Sequence, residues 1–261
     1  MKAEAPLVLT IAGSDPTGQA GSQADLATFA DLGVRGISAA TAITATEQKQ
    51  LVIHPTPADV LTQQISTACK AELPSAVKIG IVGTQANIRV ISWFVKRCTS
   101  AQIVIDPILH SSSGFPLLES KAYTFYRQQL LPLANLVAPN IREAEALAGM
   151  NISSIDAMAQ AAKVLHQDLT KLAGDDGKRL ILIKGGHLPG DPVDVLFDGQ
   201  DMLNFAGKRI HHGARGTGCR FTAALTAYLA QDLQPIEAIN KARQYITDYM
   251  KKAQATPIKH L

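Results

Sequence analysis

The segment that ends at Cys219 has the residue types of an anion-binding turn. It contains glycines at 213, 216 and 218, and Gly216-Thr217-Gly218-Cys219 lead directly into an apolar pattern of helical period. Glycine has no Cβ and can take positive φ, so successive amides can converge on one point. The pattern predicts the first turn of a buried helix, where unpaired amides and the positive end of the helix dipole favour an anion. A phosphoryl group in transfer is such an anion.

The thiol of Cys219 adds a group that could move a proton at this turn. Because a helix N-terminus lowers the pKa of a thiol, we expect Cys219 to reach the thiolate form. The thiolate would accept the proton of a substrate hydroxyl while the amides hold the phosphoryl group. The alternative is a small buried residue at a helix start. Arg215 and Arg220 flank the turn, and each is either solvated or bonded to phosphate oxygens.

Three further charged residues follow predicted strands. Asp106 ends one strand and either caps a loop or faces a metal, since ligands of open parallel sheets lie off the carboxyl ends of strands. Asn140 and Glu143 have the spacing of a capping box. Alternatively, Glu143 is an outer ligand, through water, of a phosphate-bound Mg²⁺, which keeps several waters and few carboxylates. Lys184 lies in a surface turn or neutralises the charge of a nucleotide phosphate.

Near the N-terminus, residues 13–21 form a glycine-containing loop between a predicted strand and a predicted helix. The layout is that of a nucleotide site, but the loop has neither the Lys and Ser/Thr of a P-loop nor a Gly-x-Gly-x-x-Gly motif. Ser14, Asp15 and Asp25 instead make it suited to a neutral ligand that forms hydrogen bonds.

Strand and helix patterns alternate over most of the chain. This alternation predicts a three-layer α/β/α fold with a mainly parallel central sheet, as a single domain over residues 1–261. The predicted strands are 7–12, 36–45, 77–82, 103–106, 136–139 and 180–184, followed by a hairpin of 193–197 and 203–206. A polar stretch, 46–50, follows the second strand, and the longer helices are predicted at 84–96, 154–169 and 235–252.

Composition excludes several classes of protein. The 261 residues are 46% hydrophobic and 18% charged with a formal charge of +3, and no basic stripe indicates nucleic acid. Three cysteines without metal-ligand spacing indicate neither a disulfide framework nor a zinc site. The N-terminus lacks a signal-peptide pattern, and no apolar run reaches the roughly 18 residues of a membrane span. We therefore expect a cytoplasmic protein that binds neither nucleic acid nor membrane.

With these residues in view, the sequence resembles the ribokinase superfamily and, within it, the hydroxymethylpyrimidine (phosphate) kinases of thiamine biosynthesis. The resemblance runs nearly from end to end. The segments that carry it are 9–21, 23–26, 78–80, 105–107, 113–114, 139–140, 143–144, 184–187 and 216–219. The first and last are the most specific, because sugar kinases of the superfamily usually have Asp where Cys219 stands.

The resemblance implies a ribokinase-like fold, a homodimer and a reaction that uses ATP and Mg²⁺. The implied substrates are 4-amino-5-hydroxymethyl-2-methylpyrimidine and its monophosphate. Cys219 would be the base, and residues 216–219 would be the anion hole. The remaining roles implied are a pyrimidine pocket of Gly13, Asp25, Ile81 and Ile108, and an ATP and metal site of Asn140, Glu143 and Lys184.

The chain departs from the family pattern at four positions, one of which is Gln19 in place of a glycine of the first loop. Thr46 stands where the family has a glutamine that pairs with the aminopyrimidine edge, and Ser112 replaces a lysine. Arg215 stands where the family has a histidine and can replace part of the lost charge. Because ring identity is read near position 46, a pyridoxal or pyridoxine kinase is the nearest alternative. The alternative from another class is a non-catalytic pyrimidine-binding or regulatory protein on the same fold.

Overall fold

The computed structural model describes residues 4–47, 50–111, 113–174, 178–210 and 215–255, without the side chains of residues 46, 47, 50 and 255. In these ranges one sheet contains nine strands. They are β1 (Leu7–Ser14), β2 (Arg35–Glu47), β3 (Gln50–Pro55), β4 (Ala76–Ile79), β5 (Gln102–Ile105), β6 (Leu136–Val137), β7 (Leu180–Ile183), β8 (Val193–Phe197) and β9 (Met202–Ala206).

The strands lie in the order β3-β2-β1-β4-β5-β6-β7-β8-β9. The six central strands β2, β1, β4, β5, β6 and β7 are parallel to one another, whereas β3 pairs antiparallel with β2, β8 with β7, and β9 with β8. The mainly parallel sheet and the hairpin of β8 and β9 are therefore confirmed. Parallel pairing places the carboxyl ends of the six strands at one edge, where ligands of such sheets bind.

Helices cover both faces of the sheet. They are α1 (Gly21–Asp31), α2 (Ala58–Ala68), α3 (Gln85–Val95), α4 (Tyr123–Gln129), α5 (Ile141–Ala148), α6 (Ile155–Ala173), α7 (Thr217–Ala230) and α8 (Pro235–Ala255), with short 3-10 helices at Ser120–Ala122 and Leu131–Leu133. This is the expected three-layer arrangement. Within the described ranges, none of these helices has the combination of length and apolarity needed to cross a bilayer.

The alternation of side chains along the strands separates two cores. Leu9 of β1 and Val77 of β4 point to the face covered by α2, α3 and α6. Val8 and Ala76, one position earlier, point to the opposite face, where Ala223 of α7 packs. Because side chains two residues apart share a face, every second residue of each buried strand points to the face on which α7 packs.

Two elements were missed by the sequence prediction, and a third is longer than predicted. The polar stretch predicted after the second strand is not a separate segment in the residues that the structure describes: β2 continues to Glu47 and pairs with β3, in which His54 lies opposite Ile43. The short apolar run 51–53 was too brief to indicate a strand on its own. Helix α4 was also missed, and α6 continues to Ala173, where Gly174 ends it in the left-handed conformation with φ 69°.

Candidate functional site

The strand alternation brings four polar side chains together on the face covered by α7. Val8, Ala76, Val104 and Leu182 belong to the cores on this face. The residues two positions later are Thr10, Lys78, Asp106 and Lys184, so they follow onto the same face near the carboxyl ends of β1, β4, β5 and β7. Helix α7 packs across β1, β4 and β5, and its N-terminus closes the cluster.

The described part of the glycine turn, from Gly216 to Cys219, adopts the predicted form. Gly216 is the N-cap of α7 with φ 75°, and no side chain caps the helix. The amide of Arg220 donates to the carbonyl of Gly216 at 3.0 Å, so the earlier amides, from Thr217 to Cys219, have no acceptor within the helix. A Cβ on Gly216 would lie 1.8 Å from the carbonyl oxygen of Gln19. The turn and the first loop are therefore in direct backbone contact, and glycine is required there.

The first loop is held by its own side chains. The Asp15 carboxylate accepts hydrogen bonds from the amides of Thr17 and Ala20 at 3.0 and 2.9 Å. Gln23 Nε2 donates to Ser14 Oγ at 2.7 Å. We expected Ser14 and Asp15 to serve a ligand, but in the structure they stabilise the loop instead. This bonding fixes the backbone against which the glycine turn packs.

Lys78 and Asp25 form a sealed ion pair. Lys78 Nζ donates to both carboxylate oxygens of Asp25 at 2.8 Å, and Thr10 Oγ1 donates to one of them at 2.6 Å. Both charged side chains are 0% exposed. Burial alone would lower the pKa of Lys78, but the carboxylates of Asp25 and Asp106 raise it, so the ammonium form is retained. Asp25 lies beneath the surface of the site rather than on it.

Lys184 and Asp106 form a second pair that reaches the surface. Lys184 Nζ is 2.6 Å from Asp106 Oδ1, and Thr222 Oγ1 donates to Oδ2 at 3.0 Å. The Lys184 side chain is 14% exposed, and its Nζ is 3.8 Å from the position that a Cβ on Gly218 would take. The surface-turn alternative for Lys184 is therefore wrong, because its ammonium lies beside the glycine turn.

Asn140 and Glu143 form the predicted capping box. Asn140 Oδ1 accepts from the amide of Glu143 at 3.0 Å, and Glu143 Oε2 accepts from the amide of Asn140 at 2.8 Å. Burial raises the pKa of Glu143 to about 7; the Lys184 ammonium opposes that rise and the Asp106 carboxylate adds to it. Capping leaves further lone pairs on the carboxylate, so it does not exclude a role toward a cation.

The same two carboxylates suit magnesium held through water. Asp106 and Glu143 are both buried and influence each other electrostatically, and Mg²⁺ in proteins typically uses one or two carboxylates and keeps several waters. The described residues contain no group of three His, Cys, Asp or Glu side chains placed to ligate an ion directly. The donor set therefore fits an outer-sphere magnesium ion rather than a closed metal site.

The thiol of Cys219 lies among these charges. Burial is the main cause that raises its pKa to about 11; the carboxylates of Asp106 and Asp25 act in the same direction, whereas the Lys78 ammonium and the Gly21 amide lower it. Our expectation of a lowered pKa is wrong, because desolvation and two carboxylates outweigh the helix dipole. The residue as a whole is half-buried, and its thiol is a weak acid.

Three of the expected ring-pocket residues lie close together. A Cβ on Gly13 would contact Ile81 Cδ1 at 3.3 Å, and a Cβ on the neighbouring Gly80 would contact Ile108 Cδ1 at 3.8 Å. Ile81 and Ile108 are both partly exposed, so they offer an apolar surface. Thr46 pairs with Leu51 in the edge hairpin, but its side chain is outside the described part of the structure. The role of these residues toward a ring stays a prediction.

The two arginines that flank the turn differ. Arg215 is exposed, and its proposed contact with phosphate stays a prediction. Arg220 is buried: its guanidinium lies 4.5 Å from the ring centre of Tyr249 and donates to the carbonyls of Ala24 and Gly18 at 3.4 Å. Neither predicted role of Arg220 is correct, since it packs α7 against α1 and α8. Ser112 and residues 211–214 lie outside the described residues.

Sequence reasoning missed three residues of the cluster. Thr10, Lys78 and Thr222 contact the carboxylates, but each lies within a predicted strand or helix rather than a loop. One signal for Lys78 was available. A lysine inside the apolar run Ala76-Val77-Lys78-Ile79 must bury its ammonium, which is costly unless a carboxylate accompanies it.

The fold and the site together define a class of protein. A mainly parallel sheet with helices on both faces and an uncapped helix N-terminus beside a lysine is the arrangement of a ribokinase-like kinase, and solved structures of similar kinases superpose on 94% of this chain. Residues 15–260 match the family model described as phosphomethylpyrimidine kinase. The chain belongs to the phosphomethylpyrimidine kinase family.

Two curated relatives illustrate the similarity. The chain is 39% identical over 263 residues to the thiamine biosynthesis bifunctional protein ThiED of Geobacter sulfurreducens, a match that covers 97% of this chain but 52% of the relative. The chain thus spans about half the length of that protein. It is 35% identical over 249 residues to the hydroxymethylpyrimidine/phosphomethylpyrimidine kinase of Bacillus subtilis, with 94% of this chain and 88% of the relative covered.

Two solved structures are similar over most of their length. Phosphomethylpyrimidine kinase from Clostridium difficile superposes with a TM-score of 0.79 at 35% identity, covering 94% of this chain and 99% of the other. The pyridoxal kinase from Staphylococcus aureus in complex with AMP-PCP superposes with a TM-score of 0.85 at 32% identity, covering 95% and 89%. The structural likeness therefore includes kinases named for two different rings.

Proposed function

We propose that the protein is an ATP-dependent kinase that phosphorylates 4-amino-5-hydroxymethyl-2-methylpyrimidine, its monophosphate, or both, in thiamine biosynthesis. One observation carries the proposal. The uncapped turn from Gly216 to Cys219 lies beside the ammonium of Lys184, at the edge where the parallel strands end. This is a positive cradle for a terminal phosphate. The family and the curated relatives support the choice of ring.

The residues of the cradle would act mainly by position and charge. Transfer of a γ-phosphoryl group passes through a loose transition state whose charge lies on three equatorial oxygens. The amides of residues 217–219, with Lys184 and Arg215, would bind those oxygens. As the hydroxymethyl oxygen bonds to phosphorus, the bond from phosphorus to ADP breaks and ADP keeps the electron pair. Cys219 in its thiolate form takes the hydroxyl proton.

Asn140 belongs to the nucleotide side of this site in the proposal, next to the pair of Asp106 and Glu143. These two carboxylates would hold Mg²⁺ through water, and the bound ion would neutralise charge on the phosphates. ATP as the donor is supported by the structural neighbour from Staphylococcus aureus, which is named in complex with AMP-PCP. The raised pKa of Glu143, about 7, agrees with a buried carboxyl placed where a cation would favour its ionised form.

A pyridoxal or pyridoxine kinase is the second candidate. It is favoured by the structural neighbour named pyridoxal kinase, at 32% identity. The apolar surface of Gly13, Ile81 and Ile108 would accept either ring, because it offers no polar group that reads a ring edge. Position 46 is where the two rings would be told apart.

We further propose that residues 1–261 form one kinase domain, that the protein is a homodimer and that it works in the cytoplasm. The single sheet of the described residues supports the first statement. The family resemblance supports the second. All three cysteines are free thiols, which agrees with a reducing compartment.

The test is a substrate panel. Initial rates would be measured for the hydroxymethylpyrimidine, its phosphate and pyridoxal, each with ATP and Mg²⁺, by coupled detection of ADP. We expect the highest kcat/KM for a pyrimidine. Cys219→Ala should lower kcat with little change in the affinity for the pyrimidine, because the amides of the cradle remain.

Other results would replace the proposal. A much higher kcat/KM for pyridoxal would establish the second candidate. Tight binding of the pyrimidine without release of ADP at saturating substrate would establish a binding or regulatory protein on this fold. An unchanged kcat in Cys219→Ala would remove the role given to the thiol.

A further inference from the structure

Lys78 is a charged residue to which the proposed reaction gives no part. It lies in the apolar strand β4, and its side chain has no exposed surface. Taking an ammonium out of water is costly unless a paired charge and hydrogen bonds compensate for the loss. A lysine in this position therefore requires a specific local partner, and the structure provides one.

The partner is held in a fixed orientation. Lys78 Nζ lies 2.8 Å from both oxygens of Asp25, and Thr10 fills a third acceptor site at 2.6 Å. Asp25 is carried by α1, which begins at Gly21, and the amide of Gly21 faces the thiol of Cys219. A Cβ on Gly21 would lie 2.3 Å from the carbonyl of Gly13, so this amide is held in place by close backbone packing. The ion pair and the thiol thus share one rigid surrounding.

Four charged side chains from four elements act electrostatically on Cys219. Lys78 comes from β4, Lys184 from the end of β7, Asp25 from α1 and Asp106 from the end of β5. Two ammonium groups and two carboxylates balance each other. Removal of one ammonium leaves an uncompensated negative charge facing the thiol, and a negative charge opposes formation of a thiolate.

We propose that Lys78 is a positioning residue whose buried ammonium fixes the Asp25 carboxylate and stabilises the thiolate form of Cys219. The proposal rests on the proposed function in one respect, that Cys219 is the base. Lys78 has no surface with which to touch a substrate, so it acts through its neighbours. In agreement, Lys78 is the strongest of the groups that lower the pKa of Cys219, against burial, Asp106 and Asp25.

If Lys78 has this role, two variants should change the fraction of Cys219 thiolate in opposite directions. Lys78→Met removes the stabilising charge, so the pKa of Cys219 rises and less thiolate is present at a given pH. Asp25→Asn removes a carboxylate that opposes the thiolate, so more thiolate is present. A merely structural role predicts another pattern, because loosening the site exposes the thiol and speeds its modification in both variants.

The experiment is alkylation of Cys219 by iodoacetamide between pH 7 and 10, in the full chain with Cys69→Ser and Cys98→Ala so that one thiol remains. The thiolate is the nucleophile, so below its pKa the rate rises about tenfold per pH unit. We expect Lys78→Met to react about tenfold more slowly at pH 8, as for a shift of one pKa unit, and Asp25→Asn to react faster. Lys241→Met, at an exposed lysine, controls for net charge and should leave the rate unchanged.

A folded Lys78→Met protein that reacts as fast as the parent, or faster, overturns the proposal. Should that variant fail to fold, the comparison becomes Lys78→Met/Asp25→Asn against Asp25→Asn. The double variant must react more slowly, and equal rates reject the role of Lys78. Because alkylation needs no turnover, a failure of the pyrimidine kinase assay leaves this result intact, and the two proposals can fail separately.

Discussion

The two lysine–carboxylate pairs of the site have the same chemistry but different surroundings. Lys78 and Asp25 have no exposed surface, and the carboxylate is satisfied by the ammonium and by Thr10. Lys184 is 14% exposed and points toward the glycine turn, within reach of whatever binds there. The first pair can influence the site only as a fixed charge, whereas the second can exchange its partner for a phosphate. Exposure, rather than residue type, separates a positioning pair from a binding pair.

The same difference predicts where each pair contributes free energy. A buried pair is weak evidence for stability as a pair, but breaking it leaves an unpaired charge in a low-dielectric interior. A pair at the surface of a cleft can be rescued by water or by a ligand. We therefore expect loss of the buried Lys78–Asp25 pair to lower the free energy of unfolding, and loss of the partly exposed Lys184–Asp106 pair to lower catalytic activity.

The largest effect should come from Lys78→Met. It leaves the Asp25 carboxylate buried and unpaired, so the free energy of unfolding should fall by about 3–5 kcal/mol, measured by urea denaturation followed by circular dichroism. Lys78→Met/Asp25→Asn should recover most of the loss, because both charges are removed together. A loss below about 1 kcal/mol, the size seen for exposed pairs, would mean that the pair is not sealed in solution.

Lys184→Met should act mainly on the reaction. If the ammonium binds the transferred phosphate, kcat/KM for ATP should fall by about 10²–10³-fold, as for loss of one preorganised donor. The loss of stability should be smaller than for Lys78→Met, because Thr222 still donates to Asp106 at 3.0 Å. Initial rates over a range of ATP concentrations and urea denaturation check the two parts.

The opposite ranking would break the comparison. A Lys184→Met protein with normal kcat/KM but a large loss of stability would mean that the Lys184–Asp106 pair, like the buried Lys78–Asp25 pair, contributes to stability rather than to catalysis. Lys241→Met again serves as the control for loss of one positive charge at an exposed site.

The smallest effect is expected for Thr222→Val. The change keeps the side-chain shape but removes the hydroxyl that reaches Asp106, so it should cost about 1 kcal/mol of stability and reduce kcat/KM by less than about tenfold, the equivalent of 1.4 kcal/mol. Thr226→Val is a matched control one helical turn further along α7, since that hydroxyl donates to the carbonyl of Thr222 at 2.7 Å and contacts no carboxylate. Equal kcat/KM values for the two variants would show that Thr222 does not orient Asp106.

The glycine turn and the capping box could be predicted because their chemistry is local. Positive φ at Gly216, free amides after it and the reciprocal bonds of Asn140 and Glu143 depend on residues within four positions of each other. The mainly parallel sheet followed from the alternation of strand and helix patterns, which is also a local signal. Each of these predictions needed no knowledge of which strands are neighbours.

The features that could not be predicted depend on tertiary neighbours. Lys78 contacts Asp25, 53 positions earlier, because β4 pairs with β1, the strand that precedes the helix of Asp25. The sequence of neither strand reveals that they are neighbours. The raised pKa of Cys219 depends on burial and on carboxylates from two other elements, which no spacing reveals. Strand β3 was missed because its pairing with β2, rather than its own composition, makes it a strand.

The backbone contact between Gly216 and Gln19 has a consequence for biosynthesis. The two residues of this contact are almost 200 positions apart in the chain. Because a ribosome releases the chain from its N-terminus, the first loop is synthesised long before the glycine turn against which it packs. The nascent polypeptide therefore completes this contact only near the end of translation, and a fragment truncated before α7 lacks both the turn and two of the helices that cover one face of the sheet.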